Sequence, residues 1–362
     1  MENKEIVIVH KTCVSDYPPL LAFIKYLKKS NYKVYLILGF EKGNLIEELN
    51  ELCEKVHYTD IKPSKNKILY WYKIRTTFWK IINKNSYYDK LLWIPAADTT
   101  LALGKKLLKY NFVLNLYELF DYAPRYVKGL KIYAEHAKLV ICSNQDRANI
   151  LRVWWKLKET PQVILNKSFM EDTNRNLPLT DDLQKLLSPI INKKKIIYQG
   201  IIAPERELDG LCEYINQSDD YALIIMGKET EYLKYLKKLC PSIIHIPFVS
   251  PPYHLHVTSH TDVGILSYDH SSLNNIFCAP NKLWEFSSFS IPMLGNDIPG
   301  LINTITMNKM GTCIDFSDKE QILNALDDIF NNYSIYAKNA KKFYESYDYD
   351  QELDNIFRKL KL

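Results

Sequence analysis

The sequence alternates between short apolar runs and helix-like segments in two successive series, and this alternation constrains the fold more than any other feature. The first series extends from the run at residues 6–9 to the run at 163–165. After a polar stretch at 171–179, the second series extends from 195–198 to 319–331. Apolar strands that alternate with helices predict a parallel sheet with helices on both faces. We therefore predict an α/β chain with two doubly wound domains.

Two segments of these series are predicted to be helices because they alternate with strand-like runs. The predicted helices cover residues 101–108 and 298–304. At 362 residues, the chain is long enough for two domains, each with its own core.

Composition narrows the class of protein. Hydrophobic residues make up 47% and charged residues 25% of the chain, as in globular proteins, and no run of 18 apolar residues predicts a membrane span. Residues 1–10 enter the first predicted strand without a basic region or a cleavage site, so we expect no secretion signal. Seven scattered cysteines, none in a CxxC pair, argue against a disulfide framework or a zinc site and indicate a reducing cytoplasm.

Several binding motifs are absent from the sequence. There is no GxGxxG and no GxxxxGK[ST], which argues against dinucleotide-binding dehydrogenases and P-loop nucleotide hydrolases. His254, His256 and His260 form an HxHxxxH pattern that matches no metal-binding spacing, so we expect ordinary surface or core histidines and no metal site.

Charge is distributed unevenly along the chain. Residues 1–170 contain 28 Lys/Arg and 16 Asp/Glu, which gives a formal charge of +12. Residues 171–362 contain 19 Lys/Arg and 26 Asp/Glu, which gives a formal charge of −7. A basic half of this kind predicts an anionic partner. The segment 62–90 contributes eight basic residues, one acid and seven aromatic residues. Three interpretations remain open: a helix with a core-facing aromatic side, an anionic membrane surface, or a nucleic-acid contact, for which no further motif is present.

The segment at 279–286 (Ala-Pro-Asn-Lys-Leu-Trp-Glu-Phe) predicts an anion-binding helix start. Pro280 is predicted to be the first residue of a short helix, because proline has no N–H to lose there. Asn281 and Lys282 would each share a face with Glu285. A helix N-terminus beside a lysine suits a diphosphate, and a carboxylate one turn further on can accept two hydrogen bonds from a ribose diol. The alternative is a surface Lys–Glu pair on an ordinary helix.

A second candidate element lies at residues 198–206, where a strand pattern ends in Gly200 and a loop leads to Arg206. The lone glycine is a weak signal. Arg206 lies just before a predicted helix, where a guanidinium and helix N–H groups can both bind a diphosphate.

These two elements together resemble the nucleotide-binding half of GT-B glycosyltransferases, in particular the large retaining family 4, also called group 1. Three further segments are similar to motifs of that family: 117–121, 139–144 and 163–166. Segment 117–121 is similar to the acidic motif that the family has at its inter-domain cleft. The resemblance extends over about residues 5 to 300. It implies two Rossmann-like domains facing across a cleft: residues 1–175 for the acceptor, 190–340 for the nucleotide-sugar, and a C-terminal helix, 341–362, that packs back on the first domain.

The resemblance also implies roles for individual residues. Glu285 would bind the ribose, and Arg206 and Lys282 would neutralise the diphosphate. The implied donor nucleotide site comprises Gly200, Arg206, Phe248, Val249, Asn281, Lys282 and Glu285. The loop residues implied to face the diphosphate or the acceptor are Ser15 and Asp16, and the candidate catalytic residues, which would orient the acceptor hydroxyl or take its proton, are Glu118 and Asp121. The sequence departs from the family pattern at Phe277, where a glutamate is usual, and at Tyr117, where a histidine is frequent.

The sequence therefore predicts a glycosyltransferase that moves a sugar from a nucleotide-sugar, with a UDP-sugar favoured, to a glycan or lipid-linked glycan in surface polysaccharide or glycoconjugate biosynthesis. We expect it to be cytoplasmic, peripheral at the inner face of the membrane through segment 62–90, and independent of metals, cofactors and nucleic acid. Two alternatives remain open: a sugar-nucleotide epimerase with the same fold, and a non-catalytic subunit that binds a partner enzyme.

Overall fold

The computed structural model describes residues 4–43 and 45–361 and divides into two compact units. Unit 1 comprises Met1–Phe169 and Asp348–Leu362, and unit 2 comprises Met170–Tyr347. The described residues do not include residues 1–3, Asn44 and Leu362, so these parts of the predicted first domain and of the predicted C-terminal helix lie outside them. All seven cysteines are free.

Unit 1 is built on a seven-stranded parallel sheet. Its strands are β1 (Glu5–His10), β2 (Lys33–Leu38), β3 (Lys55–Tyr58), β4 (Leu91–Ile94), β5 (Phe112–Leu116), β6 (Leu139–Cys142) and β7 (Gln162–Val163). Their spatial order is β3-β2-β1-β4-β5-β6-β7. The helices that follow these strands are α1 (Pro18–Lys29), α2 (Leu45–Leu52), α3 (Lys67–Lys84), α4 (Ala97–Leu103), α5 (Pro124–His136) and α6 (Gln145–Trp155). Strand β3 was not predicted, because its edge position leaves it without a continuous apolar run.

Unit 2 is built on a six-stranded parallel sheet. Its helices are α7 (Asp181–Leu187), α8 (Asp209–Ile215), α9 (Glu231–Leu239), α10 (His254–Thr258), α11 (Leu273–Ile276), α12 (Asn281–Ser288), α13 (Pro299–Leu301), α14 (Lys319–Asn331) and α15 (Tyr333–Ser346). Its strands are β8 (Lys194–Gln199), β9 (Tyr221–Met226), β10 (Ile244–Ile246), β11 (Val263–Leu266), β12 (Met293–Asn296) and β13 (Gly311–Ile314), in the order β10-β9-β8-β11-β12-β13. The predicted class, two doubly wound parallel-sheet domains, is confirmed.

The final helix, α16 (Tyr349–Leu360), belongs to unit 1. The ring of Phe357 lies 6.0 Å from that of Trp93 and 4.8 Å from that of Tyr32. Ile356 is also buried in this core, and Leu360 packs against its edge. The apolar side of α16 therefore completes the core of unit 1.

Three predicted local features are wrong. The helix over 101–108 ends at Leu103, because Gly104 adopts a φ of +71°, and a separate 3₁₀ helix, Lys105–Lys109, follows. The helix over 298–304 is a single turn, α13, continued by the π-helix Ile302–Thr306. Pro280 caps α12 in an extended conformation and is not its first helical residue, so the helix begins one residue later than predicted.

None of the helices in the described part of the chain combines the length and the apolar character needed to span a bilayer.

Helix α12 lies against strand β11 because the strand carries a glycine there. A Cβ atom at Gly264 would lie 2.4 Å from the ring of Phe286, which is fully buried in the core of unit 2. The absence of a side chain at 264 thus sets the height of α12 above the sheet.

Replacing Gly264 by alanine should destabilise unit 2 by about 1–3 kcal/mol, because the added methyl group overpacks a filled core against an aromatic ring. Urea unfolding monitored by circular dichroism measures this loss. Gly129→Ala is the control: its Cβ would meet only the end of the Leu101 side chain, at 3.2 Å, so its stability should change by less than about 1 kcal/mol. Equal stabilities of the two variants would contradict the packing argument.

Candidate functional site

The carboxyl edge of the unit 2 sheet brings Gly200 and Lys282 together. Gly200 directly follows β8 with a φ of +133°, a conformation that disfavours any other residue. A Cβ atom at this position would lie 2.9 Å from both Cε and Nζ of Lys282. The glycine therefore leaves the space that the end of the lysine side chain occupies, which explains the lone glycine of the sequence pattern.

Arg206 lies at the same edge and is held by the residues that follow β11. Its guanidinium stacks 4.5 Å from the centre of the Tyr268 ring, and Nη1 donates a hydrogen bond of 3.2 Å to the carbonyl oxygen of Ser267. The backbone N–H of Tyr268 donates in turn to Asn296 Oδ1 at the end of β12. Within the described residues, this is the one hydrogen bond that the guanidinium makes, so its other N–H groups are available to an anion.

Electrostatics link the two cations. Burial is the main cause that lowers the pKa of Lys282; the positive charge of Arg206 lowers it further, whereas Glu285 opposes the shift. Two cations that raise each other's energy form a favourable place for a doubly charged anion, since an anion between them would relieve the repulsion.

Glu285 is buried beside these cations and is 6% exposed. Its Oε2 accepts a hydrogen bond of 2.6 Å from Gln199 Nε2 and lies 3.3 Å from His254 Nε2. Burial alone would raise the pKa of this carboxyl group, but His254, Lys282 and Gln199 outweigh it and lower the pKa below its ordinary value. Glu285 is thus ionised at neutral pH, and the alternative of a surface Lys–Glu pair does not describe it.

The other candidate donor residues of unit 2 lie at different positions. Asn281 is the first residue of α12 and is half-buried. The ring of Phe248, which follows β10, is 58% exposed, and Lys228 Nζ lies 5.7 Å from its centre. Val249 is half-buried against the core beneath. An exposed ring with a cation over it offers a face on which a base can stack.

In unit 1, Ser15 and Asp16 lie in a 3₁₀ turn, Val14–Asp16, after β1. The backbone N–H groups of Val14 and Ser15 donate to the carboxylate of Glu41, at 2.7 and 3.4 Å. Asp16 forms an ion pair of 3.2 Å with Lys42. The N–H groups of this turn are thus bound to a carboxylate of the same unit.

The candidate catalytic residues follow β5. Glu118 is exposed, and its Oε2 lies 3.7 Å from Nη2 of the buried Arg147. Burial raises the pKa of the neighbouring Tyr122 most, and the carboxylates of Glu118, Asp98 and Asp121 raise it further. All three carboxylates thus act electrostatically on the same phenol.

Sequence reasoning missed a buried polar cluster at this edge. Lys11 Nζ and Asp98 Oδ2 form an ion pair of 2.6 Å, and burial lowers the pKa of the adjacent His10 to about 4. Tyr17 lies over His10, with ring centres 4.6 Å apart. The position of Asp98 in the sequence could have indicated this cluster, because Asp98 follows a buried strand, as Glu118 does.

The histidines of the HxHxxxH pattern have separate partners. His254 contacts Glu285, His256 Nδ1 pairs with the carbonyl oxygen of Pro178, and His260 Nε2 pairs with that of Leu177. Across residues 4–43 and 45–361, no group of three His, Cys, Asp or Glu side chains is arranged to hold a metal ion.

The structure is similar to solved structures over nearly its whole length. HepE from Anabaena, in complex with UDP and glucose, is 13% identical with a TM-score of 0.73, and the match covers 98% of this chain and 99% of HepE. Sucrose-phosphate synthase from Thermosynechococcus elongatus is 14% identical with a TM-score of 0.74, over 98% and 99% of the two chains. WaaG, a glycosyltransferase involved in lipopolysaccharide biosynthesis, is 11% identical with a TM-score of 0.65, over 97% and 98%.

These similarities show that the chain has the GT-B fold, and the resemblance derived from the motifs is confirmed at the level of the fold. Comparison of the sequence with protein-family models and with curated proteins gives no match.

Because the folded pKa of Glu285 is lowered, its ionised form stabilises the fold above the ordinary carboxyl pKa, and this contribution is lost as the pH falls through the folded value. The free energy of unfolding of Glu285→Gln should therefore be about 1–3 kcal/mol lower than that of wild type at pH 7. This difference between the two proteins should shrink below about pH 4.5. Urea unfolding at several pH values measures both. Asp219→Asn, an exposed carboxylate before β9, is the control; a Glu285→Gln difference that is constant with pH would contradict the assignment.

Proposed function

We propose that this chain is a glycosyltransferase that moves a sugar from a nucleoside diphosphate sugar, with a UDP-sugar favoured, to a glycan or lipid-linked glycan. One observation carries the proposal: Lys282, Arg206 and the ionised, buried Glu285 lie together at the carboxyl edge of a parallel sheet. Ligands of doubly wound sheets bind at this edge. Two cations and a carboxylate match the diphosphate and the ribose of such a donor.

Each group has a distinct part in donor binding. The planar guanidinium of Arg206 can bind two oxygens of the diphosphate, while Lys282 supplies a point charge beside the N-terminus of α12. Glu285 accepts hydrogen bonds from the ribose hydroxyls, and the exposed ring of Phe248 stacks on the base. The preference for uridine is supported by HepE, whose structures are complexes with UDP and with UDP-glucose.

The same cations promote the reaction. Cleavage of the bond between sugar and diphosphate leaves negative charge on the departing oxygens, and Arg206 and Lys282 are already oriented toward that charge. They stabilise the transition state more than the ground state, because the charge on the oxygens grows as the bond breaks. Since these side chains supply the positive charge, the proposed reaction requires neither a metal ion nor a cofactor. Retention of the anomeric configuration belongs to the proposal through the family resemblance.

The acceptor groups are proposed to come from unit 1. Glu118 or Asp121 would orient the acceptor hydroxyl or take its proton. Arg147 supports this arrangement, because its guanidinium binds the carbonyl oxygen of Tyr117 and, at 3.0 Å, the hydroxyl of Ser143, which fixes the turn that carries Glu118.

Helix α3 supports a location at the inner face of a membrane, as a peripheral protein of the cytoplasm. Its aromatic residues Tyr70, Phe78 and Trp79 are buried, so this side of the helix belongs to the core. Its first turns instead expose Ile68 (85%) and Tyr72 (63%). The basic residues exposed around them are Lys65, Lys67 and Lys73. Exposed apolar side chains with exposed lysines near them in the sequence fit an anionic lipid surface, in which the apolar groups enter the headgroup region.

Titration calorimetry with UDP, GDP and dTDP tests donor binding. One nucleotide should bind wild type, and Glu285→Ala should weaken that binding by about 2–3 kcal/mol, roughly thirtyfold to more than a hundredfold, through the loss of charge-assisted ribose hydrogen bonds. Asp219→Ala, at the amino edge of the same sheet, should bind as wild type does. Binding by no nucleotide would favour the non-catalytic subunit, and donor conversion without an acceptor would favour the epimerase.

Sedimentation with phosphatidylcholine vesicles, with and without phosphatidylglycerol, tests the membrane surface. Changing Lys65, Lys67 and Lys73 to glutamate should weaken binding to the anionic vesicles by about 3 kcal/mol or more, over a hundredfold, since each lysine contributes about 1 kcal/mol. The matched control reverses three exposed lysines of α9: Lys234, Lys237 and Lys238. Arg75 is unsuitable for this test, because its guanidinium donates to the carbonyl oxygens that end α4. Equal binding by both triple variants would refute the membrane surface.

A further inference from the structure

We infer that Gln199, Thr258 and His254 are positioning residues that hold the carboxylate of Glu285 in the orientation that binds ribose. This inference rests on the proposed function and deepens it. Gln199 lies in the element that contains Arg206, and His254 in the HxHxxxH pattern, but the sequence patterns assign neither of them, nor Thr258, a role at Glu285; all three lie within unit 2.

A chain of hydrogen bonds joins Thr258 to Glu285 inside unit 2. Thr258 Oγ1 donates to Gln199 Oε1 at 2.7 Å, and Gln199 Nε2 donates to Glu285 Oε2 at 2.6 Å. Thr258 is 0% exposed, Gln199 is 2% exposed and Glu285 is 6% exposed. Buried hydrogen bonds of these lengths restrict side-chain rotation, because a rotated group would leave a polar atom without a partner.

The direction of this chain is fixed by chemistry. An ionised carboxylate can only accept, so Gln199 must present its NH₂ group to Glu285. Its carbonyl oxygen then needs a donor on the other side, and the hydroxyl of Thr258 is that donor. Without the hydroxyl, the amide would have an unsatisfied oxygen and less reason to keep its NH₂ group on the carboxylate.

His254 adds a second donor to the same oxygen. It lies one helical turn before Thr258 on α10, and its Nε2 lies 3.3 Å from Glu285 Oε2. Its Nδ1 is buried without a hydrogen-bond partner. Because an ionised carboxylate can only accept, the His254 nitrogen that faces Glu285 Oε2 is the donor of this contact.

Both donors bind Oε2, and no hydrogen bond to Oε1 is found within the ranges 4–43 and 45–361. The arrangement therefore holds one oxygen from inside the unit and leaves the other to accept from a ribose hydroxyl. Gln199 and Thr258 could have a purely structural function, which is to satisfy the buried charge of Glu285. Only a measurement that involves the ribose separates this structural function from the positioning of Glu285 for ribose binding.

The test compares the affinities of UDP and 2′-deoxy-UDP by titration calorimetry in wild type and in variants. Wild type should prefer UDP, because the 2′-hydroxyl donates to Glu285. Thr258→Val removes the hydroxyl at constant shape and should reduce the UDP preference about tenfold, the value of one hydrogen bond, with 2′-deoxy-UDP affinity unchanged. Thr258→Ser keeps the hydroxyl and should keep the wild-type ratio. Gln199→Leu should abolish the preference.

Ser287→Ala is the control, since this buried serine of α12 donates to the Trp284 carbonyl and lies outside the chain of hydrogen bonds. If the Thr258→Val and Gln199→Leu variants keep the wild-type ratio, or lose affinity for both nucleotides equally, the positioning role is wrong while the proposed function stands. If wild type binds neither nucleotide, the proposed function fails together with the inference. If Gln199→Leu does not fold, the comparison of Thr258→Val with Thr258→Ser is sufficient to test the positioning role.

Discussion

The burial of an ionised carboxylate at Glu285 is the constraint on which the candidate site depends. Transfer of such a charge from water into a protein interior is costly unless donors compensate it. Unit 2 provides these donors from two places: Gln199 at the end of a strand and His254 on a short helix. The close approach of Phe286 to Gly264 keeps α12, and with it Glu285, within reach of both. Packing and electrostatics therefore fix the same side chain.

The two units treat the ends of their first strands differently. In unit 2, burial and the positive charge of Arg206 lower the pKa of Lys282 beside Gly200, although Glu285 opposes the shift. In unit 1, the turn after β1 directs its N–H groups at Glu41, and Lys11 is paired with Asp98. The N–H groups of the turn and Lys11 are thus bound to carboxylates of unit 1, whereas in unit 2 an anion between Arg206 and Lys282 would relieve their repulsion. This difference is consistent with the proposal that the anionic donor binds unit 2.

Much of the fold could be predicted from the sequence, since period and length of apolar runs follow directly from burial in a parallel sheet. The failures have local causes. Gly104 ends a helix by a positive φ that periodicity does not reveal, and β3 lies at an edge where polar residues are tolerated. For the site, motifs identified Lys282, Arg206 and Glu285. They could not connect Gln199 and His254 with Glu285, because only the fold brings positions 86 and 31 residues away to the same carboxylate.

The return of α16 to unit 1 has a consequence for biosynthesis on the ribosome. Unit 2 is one continuous stretch, but unit 1 is assembled from both ends of the chain. Phe357 fills a space between Trp93 and Tyr32 that stays open until α16 has been translated. During translation, unit 2 can fold as soon as it emerges, while the first unit waits with an incomplete core for its final helix. Unit 1, which is begun before unit 2, is therefore completed only after unit 2 has been made.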